Sequence, residues 1–63
     1  MAVDAKTQRM LFDAYAQAVF AAKERGMTGS NARTAALAAA AKTVTKVTGQ
    51  TITLEIVAQA VGG

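Results

Sequence analysis

The sequence predicts an all-α protein, a small three-helix domain built on an antiparallel helical hairpin. Two features support this prediction. A long amphipathic pattern fills the first third of the chain, and an alanine-rich stretch, residues 34–41, follows it after a short glycine-containing turn. Alanine combines the highest intrinsic helix propensity with very little side-chain bulk, so the second helix lets a neighbouring backbone come close. We expect residues 1–63 to form a single small domain, because 63 residues are too few for two.

The first helix is predicted over residues 5–25. Asp4 stands where it can cap the N-terminus, and Gly26 stands where a left-handed residue commonly ends a helix. At about 100° per residue, the apolar side chains gather on one face, with Phe12 at its edge. That face consists of Leu11, Tyr15, Ala18, Val19 and Ala22.

Three apolar side chains are left outside the faces that the helices are expected to bury. Met10 lies beside the apolar face of the first helix, Phe20 falls among the polar residues of that helix, and Met27 lies in the following turn. Single exposed apolar side chains are common on protein surfaces. Phe20, however, is one of only three aromatic residues in the chain. We therefore predict that Met10, Phe20 and Met27 contact a protein partner.

A turn over residues 27–31 leads into the second helix, which we expect to start near Ala32 and to run antiparallel to the first. Lys42 and Lys46, four residues apart, project together from one side of this helix. The large apolar residues are expected to face the first helix from the other side: Leu37, Val44 and Val47.

Residues 43–57 admit two interpretations. A β-hairpin turning at Gly49 accounts for the many β-branched residues and for the alternation of apolar and polar side chains. A second helix ending at Gly49, followed by a short third helix, accounts for Thr53 as an N-cap and for the hydrophobic-staple spacing of Ile52 and Val57. We favour the third helix. Two helices followed by a C-terminal β-hairpin remain the alternative.

The predicted core is small. Apolar residues make up 52% of the chain, but about half of them are alanines, which bury little area. A chain of this length buries only about 60% of the surface that it exposes when unfolded, and such domains usually need a disulfide, a metal or a partner. The sequence contains no cysteine and no histidine, which excludes disulfides and the common zinc and haem ligand sets. We therefore expect a homo-oligomer or a complex with a protein partner.

The sequence offers little catalytic chemistry. Paired carboxylates for acid–base catalysis have to meet within a few ångströms in a sheltered cleft, for which so small a domain has no room. The one serine, Ser30, lies in the turn, where helix capping explains it. We expect no enzymatic activity, no cofactor, no bound metal and no small-molecule substrate. The acidic residues are spread along the chain: Asp4, Asp13, Glu24 and Glu55.

The net charge of +3 makes nucleic-acid binding the competing interpretation. Arg33, Lys42 and Lys46 lie in a segment without acidic residues and can contact phosphates without reading sequence. A sequence-reading helix-turn-helix fits poorly, because its second helix would present Glu55 and Gln59 and no basic residue. A small basic DNA-binding protein is therefore the alternative function.

The main functional prediction is a non-enzymatic protein–protein interaction or assembly module, such as a small accessory or structural subunit of a larger, phage-type complex. No run of about 18 uncharged apolar residues exists that would span a membrane. The N-terminus also has no secretory pattern. We expect the protein in the cytoplasm, or in a particle that is assembled inside the cell.

Overall fold

The computed structural model describes residues 4–62, which form three α-helices: α1 (Ala5–Glu24), α2 (Gly29–Thr48) and α3 (Leu54–Gly62). α1 and α2 pack against each other as a helical hairpin, and the shorter α3 contacts both. The three-helix prediction is confirmed. The alternative β-hairpin over residues 43–57 is wrong, because residues 43–48 complete α2 and residues 54–57 begin α3.

Local signals define both ends of α1. The Asp4 carboxylate Oδ1 accepts a hydrogen bond from the Thr7 N–H at 2.8 Å, which caps the N-terminus as predicted. At the other end Gly26 has φ of 88°, and the Met27 N–H donates to the Ala22 carbonyl at 3.0 Å. This is a Schellman motif, in which a left-handed glycine turns the chain back onto the last turn of the helix. α1 therefore ends where the sequence predicts.

The connection between α2 and α3 is held by one hydroxyl group. Thr45 Oγ1 accepts a hydrogen bond from the Ile52 N–H at 2.8 Å and donates one to the Ile52 carbonyl at 3.2 Å. Gly49, with φ of 76°, ends α2 and lets the chain reverse toward Thr45. The β-branched residues of the first part of the β-hairpin pattern, residues 43–48, therefore lie in the last turns of α2, where Thr45 binds the following segment.

The start of α3 agrees with the prediction. Thr53 Oγ1 accepts a hydrogen bond from the Ile56 N–H at 3.2 Å, the bond expected of an N-cap. Ile52 precedes this cap, and Val57 lies one turn into the helix; both are buried in the same cluster. This is the hydrophobic staple that the spacing of these residues indicates.

A small core lies between the three helices. Ala36 and Ala40 are 0% and 1% exposed, so that alanines, rather than large side chains, occupy much of the contact surface of α2. Side chains this small allow two helices to approach closely, but they leave few large groups to bury. The buried cluster consists of Leu11, Leu37, Ala40, Ala41, Val44, Ile52 and Val57.

Two apolar residues do not lie where the sequence pattern predicts. Val47 is 67% exposed instead of facing α1, although it follows the buried Ala40 by seven residues and so points in the same direction to within about 20°. Leu54, expected on the apolar face of α3, is 39% exposed, while Ile56 packs against the core. Both exposed residues lie at the ends of helices, where the neighbouring helix no longer covers them.

The Thr45 hydroxyl is expected to contribute to stability. Thr45→Val keeps the shape of the side chain and removes both hydrogen bonds to Ile52, which should lower the free energy of unfolding by about 1–3 kcal/mol. Urea denaturation measures this value. Thr34→Val, at an exposed position of the same helix, is the matched control and should change the free energy by less than about 0.5 kcal/mol. Equal effects of the two substitutions would contradict this role of Thr45.

The Asp4 cap predicts a dependence of stability on pH. The Thr7 side chain, followed by the Thr7 N–H, holds the pKa of Asp4 below its ordinary value. A carboxylate whose pKa is lowered on folding stabilises the fold above the ordinary aspartate pKa of about 3.9, and this contribution is lost as the pH falls through the folded pKa.

We therefore expect Asp4→Ala to lower the midpoint of thermal unfolding at pH 7 and to have a smaller effect at about pH 2. Asp4→Asn, a cap that does not titrate, is the control. If Asp4→Ala lowers the midpoint of thermal unfolding by the same amount at both pH values, the charge of Asp4 does not contribute to stability.

Candidate functional site

An open groove of about 410 Å³ runs between α1 and α2. Ala39 and Thr43, on its α2 side, lie about 120–160° around the helix from Leu37 and Ala41, which share the buried cluster with Val57 of α3. The groove therefore lies on the face of the hairpin that α3 leaves uncovered. It is lined by Met10, Asp13, Ala14, Gln17 and Ala18 of α1 and by Ala39, Thr43, Val44 and Val47 of α2.

The side chains that line the groove differ in size along its length. Ala14, Ala18 and Ala39 keep the groove wide, because their short side chains leave the helix backbones close to its surface. The larger apolar side chains, Met10 and Val47, lie at the end away from the α1–α2 turn. Such a groove can receive a helix that approaches closely along most of its length.

The groove is bordered by charges of both signs. Asp13 lines the α1 wall, and the exposed Lys6, seven residues earlier, points in the same direction to within about 20°. On α2, Lys46 follows Ala39 by seven residues and so points in the same direction to within about 20°, and Lys42 lies about 60° from Ala39. Both lysines are exposed. We call the groove, together with Lys42, Lys46 and the neighbouring Phe20 of α1, the open face.

The structure separates the three predicted partner-contact residues. Met10 is half-buried, lines the groove and packs against the core. Phe20 is 66% exposed and follows Asp13 by seven residues, which places it on the outer edge of the same side of α1. Met27 is half-buried in the turn, where its N–H completes the Schellman motif. Met10 and Phe20 are about 15 Å apart along α1, so the three residues do not form one cluster.

Besides Leu54 of α3, two exposed apolar residues were missed by reasoning from the sequence. Val47 is 67% exposed at one end of the groove, and Phe12 is 45% exposed on α1. Phe12 was placed at the edge of the apolar face, which is a partial signal. For Val47 the sequence carries no signal, because its exposure depends on where α1 crosses α2.

The predicted phosphate contacts are also divided. Lys42 and Lys46 lie one turn apart on the open face. Arg33 precedes Lys42 by nine residues, which places it about 180° around α2 and about 13 Å along it. A Cβ added at Gly62 would come within 3.2 Å of Arg33 Nη2, so the guanidinium lies at the C-terminus of α3, where a cation is favourable. The structure brings the two lysines together and places Arg33 apart from them.

Comparison of the chain with protein-family models, with curated proteins and with solved structures found no match. Between Asp4 and Gly62, none of the helices combines the length and the apolar character that crossing a lipid bilayer requires. The functional interpretation therefore depends on the geometry of the surface.

The two sides of α2 are expected to respond differently to added bulk. Ala40 is 1% exposed, so Ala40→Leu should overpack the core and lower the free energy of unfolding by about 1–3 kcal/mol. Ala38 is exposed, so Ala38→Leu should change stability by less than about 0.5 kcal/mol and disrupt an assembly that docks on that side. Urea denaturation and sedimentation measure the two effects. If neither substitution changes stability or assembly, α2 serves only as a spacer.

Proposed function

We propose that the protein is a non-enzymatic protein–protein interaction module that works as part of an assembly through its open face. The observation that supports this most directly is the groove, which the fold leaves uncovered and which has the 67% exposed Val47 at one end. A helix seated in the groove would cover that apolar surface. A domain of about 60 residues is marginally stable alone and gains stability from any contact that binds only the folded form.

The kind of assembly that fits is a larger particle in which this chain is a small accessory or structural subunit, for example a phage-type complex assembled inside the cell. An alanine-rich helix supports such a role, because small side chains allow neighbouring helices to pack closely. No cofactor or small-molecule substrate is part of this proposal.

A pull-down from the native source with the tagged full chain tests the proposal. Phe20→Ser and Val47→Ser change exposed residues of the open face and should release the partner without unfolding the chain. Phe12→Ser, on the same helix but outside the open face, is the matched control and should retain the partner. A partner that is retained equally by all three variants would contradict the proposed surface.

The second candidate function is sequence-independent DNA binding, which is favoured by the juxtaposition of Lys42 and Lys46 on the open face. Two lysines neutralise at most about two phosphates, so the logarithm of the affinity should fall with the logarithm of salt concentration with a slope of about −2. Arg33 lies too far around α2 to join the same contact.

Binding to a fluorescent DNA duplex tests this candidate. If the lysines bind phosphates, Lys42→Gln with Lys46→Gln should abolish binding, while Lys23→Gln with Arg25→Gln, which removes the same charge near the α1–α2 turn, should weaken it less. Under the main proposal we expect weak binding that depends on net charge alone, with the same loss in both double variants.

A further inference from the structure

We propose that the outer edge of α1 docks reversibly on the surface of an anionic lipid bilayer, with two phenylalanine rings at the boundary between headgroups and acyl chains. The outer edge consists of Arg9, Phe12, Ala16, Phe20 and Lys23. This inference goes beyond the proposed function, because it concerns a different side of the molecule from the groove. Only Phe20 belongs both to the outer edge and to the open face.

The outer edge lies on the side of α1 that faces away from the core. Ala16, at its centre, lies about 120–180° around the helix from the buried residues Thr7, Leu11 and Ala22. The other four residues of the edge point within about 40° of Ala16. All five are exposed, and the exposed fractions of Phe12 and Phe20 are 45% and 66%. Folding therefore leaves two of the three aromatic side chains in one row on the surface.

A cation accompanies each phenylalanine of the outer edge. Arg9 precedes Phe12 by three residues and Lys23 follows Phe20 by three residues, so each cation lies about one turn beyond a ring. Within Ala5–Glu24, no acidic side chain points within about 40° of Ala16. The outer edge therefore combines apolar surface with positive charge, which is the combination that binds anionic lipid.

The charges at the border of the edge weaken this attraction without reversing it. Asp13 and Glu24 point about 60° and 80° away from Ala16, and Lys6 points about 80° away on the same side. These three exposed groups sum to one negative charge, against the two positive charges of the edge. The edge and its border together thus keep one positive charge.

The same charges argue against a second copy of the chain on the outer edge. If two edges meet antiparallel with Ala16 at the centre, Arg9 of one copy faces Lys23 of the other. If they meet parallel, each cation faces its own copy. Both arrangements place like charges together, which destabilises an interface.

The shape of the outer edge favours a bilayer over a single nucleic-acid strand. Proteins that bind single strands combine stacking aromatic side chains with a positively charged groove that follows the backbone. Within residues 4–62, α2 and α3 pack against the other sides of α1, so the outer edge is a ridge without a second wall. Phe12 and Phe20 project from this ridge about 12 Å apart along the axis. A ridge of this kind can lie flat on a membrane surface.

Two phenylalanines and two cations support only reversible binding. Stable anchoring takes a longer apolar face, an acyl chain or a polybasic segment. Each basic residue near an anionic surface strengthens binding about fivefold, and Asp13 and Glu24 at the border offset part of that gain. We therefore expect binding that requires anionic lipid and that weakens as the salt concentration rises.

Flotation of the full chain with phospholipid vesicles tests the proposal. Vesicles of phosphatidylcholine with about 40% phosphatidylserine should bind the chain about fivefold more tightly than vesicles of phosphatidylcholine alone. Phe12→Ser with Phe20→Ser should weaken the binding about tenfold or more, because it removes the apolar surface that enters the bilayer. Equal binding to the two kinds of vesicle, or no effect of the double substitution, would overturn the inference.

A matched pair of charge variants separates the outer edge from net charge. Arg9→Gln with Lys23→Gln, and Lys42→Gln with Lys46→Gln, each remove two positive charges. In about 0.1 M salt, where charges are screened beyond about 10 Å, the first pair should weaken vesicle binding about fivefold and the second by less than about twofold. Equal losses would mean that net charge alone drives binding. Circular dichroism checks that all variants remain helical.

Tryptophan fluorescence reports which side of the molecule meets the bilayer, because the chain contains no tryptophan of its own. In Phe12→Trp, anionic vesicles should shift the emission to shorter wavelength, since the indole leaves water. Val47→Trp, at an exposed position at the end of the groove, is the control and should show no shift. No shift in Phe12→Trp, or an equal shift in both variants, would overturn docking through the outer edge.

The outcome is separable from that of the proposed function. Phe12→Ser should retain the partner in the pull-down and weaken vesicle binding, whereas Val47→Ser should release the partner and leave vesicle binding unchanged. A fluorescent oligothymidylate identifies the other possible occupant of the edge. If its binding depends on Phe12 and Phe20 while the chain does not bind vesicles, the edge binds a nucleic-acid strand and the inference is wrong.

Discussion

The structure depends on the close contact between two helices that is made largely by alanine. Ala36 and Ala40 of α2 are fully buried, and α2 packs against α1 with these short side chains in its buried surface. Such a contact is tight, but it buries few large groups, and the four largest fully buried side chains come from all three helices. The hairpin therefore cannot be separated from α3, because Val57 belongs to the same small core as Leu11.

The position of α3 determines which surface remains for function. The segment after Gly49 reverses and is bound to α2 through the Thr45 hydroxyl, which directs Ile52 and the following helix to one side of the hairpin. With nine residues, α3 covers that side alone. The groove on the opposite side is bordered by charges of both signs and lined in part by alanines, with Val47 exposed at its end. Small side chains therefore allow close packing in the core, and on the groove side they leave apolar surface that no part of α3 covers.

The competing functions use the same residues in different ways. Lys42 and Lys46 are the basic wall of the groove in a protein assembly and the phosphate contacts in a nucleic-acid complex. Arg33, which the sequence grouped with them, lies at the C-terminus of α3, where its charge complements the helix dipole. Asp13, between Lys6 on α1 and the two lysines on α2, makes this a patch of mixed charge, which is better suited to a protein surface than to a polyanion.

The sequence by itself determined the three helices and most of their ends, because the signals at Asp4, Gly26, Gly49 and Thr53 act within one turn of the chain. The start of α2 is the exception: it lies at Gly29 rather than near Ala32, so Ser30 is inside the helix, and the N-cap Thr28 makes no side-chain hydrogen bond that would mark the position. Local hydrogen bonds and backbone preferences need no knowledge of the rest of the fold. Periodicity also separated buried from exposed positions wherever one helix packs along another. Only the tertiary structure decided that Val47 is exposed and that a groove lies on one side of the hairpin. Exposure at helix ends depends on where the neighbouring helices cross and stop, and that is set by contacts between residues distant in the chain.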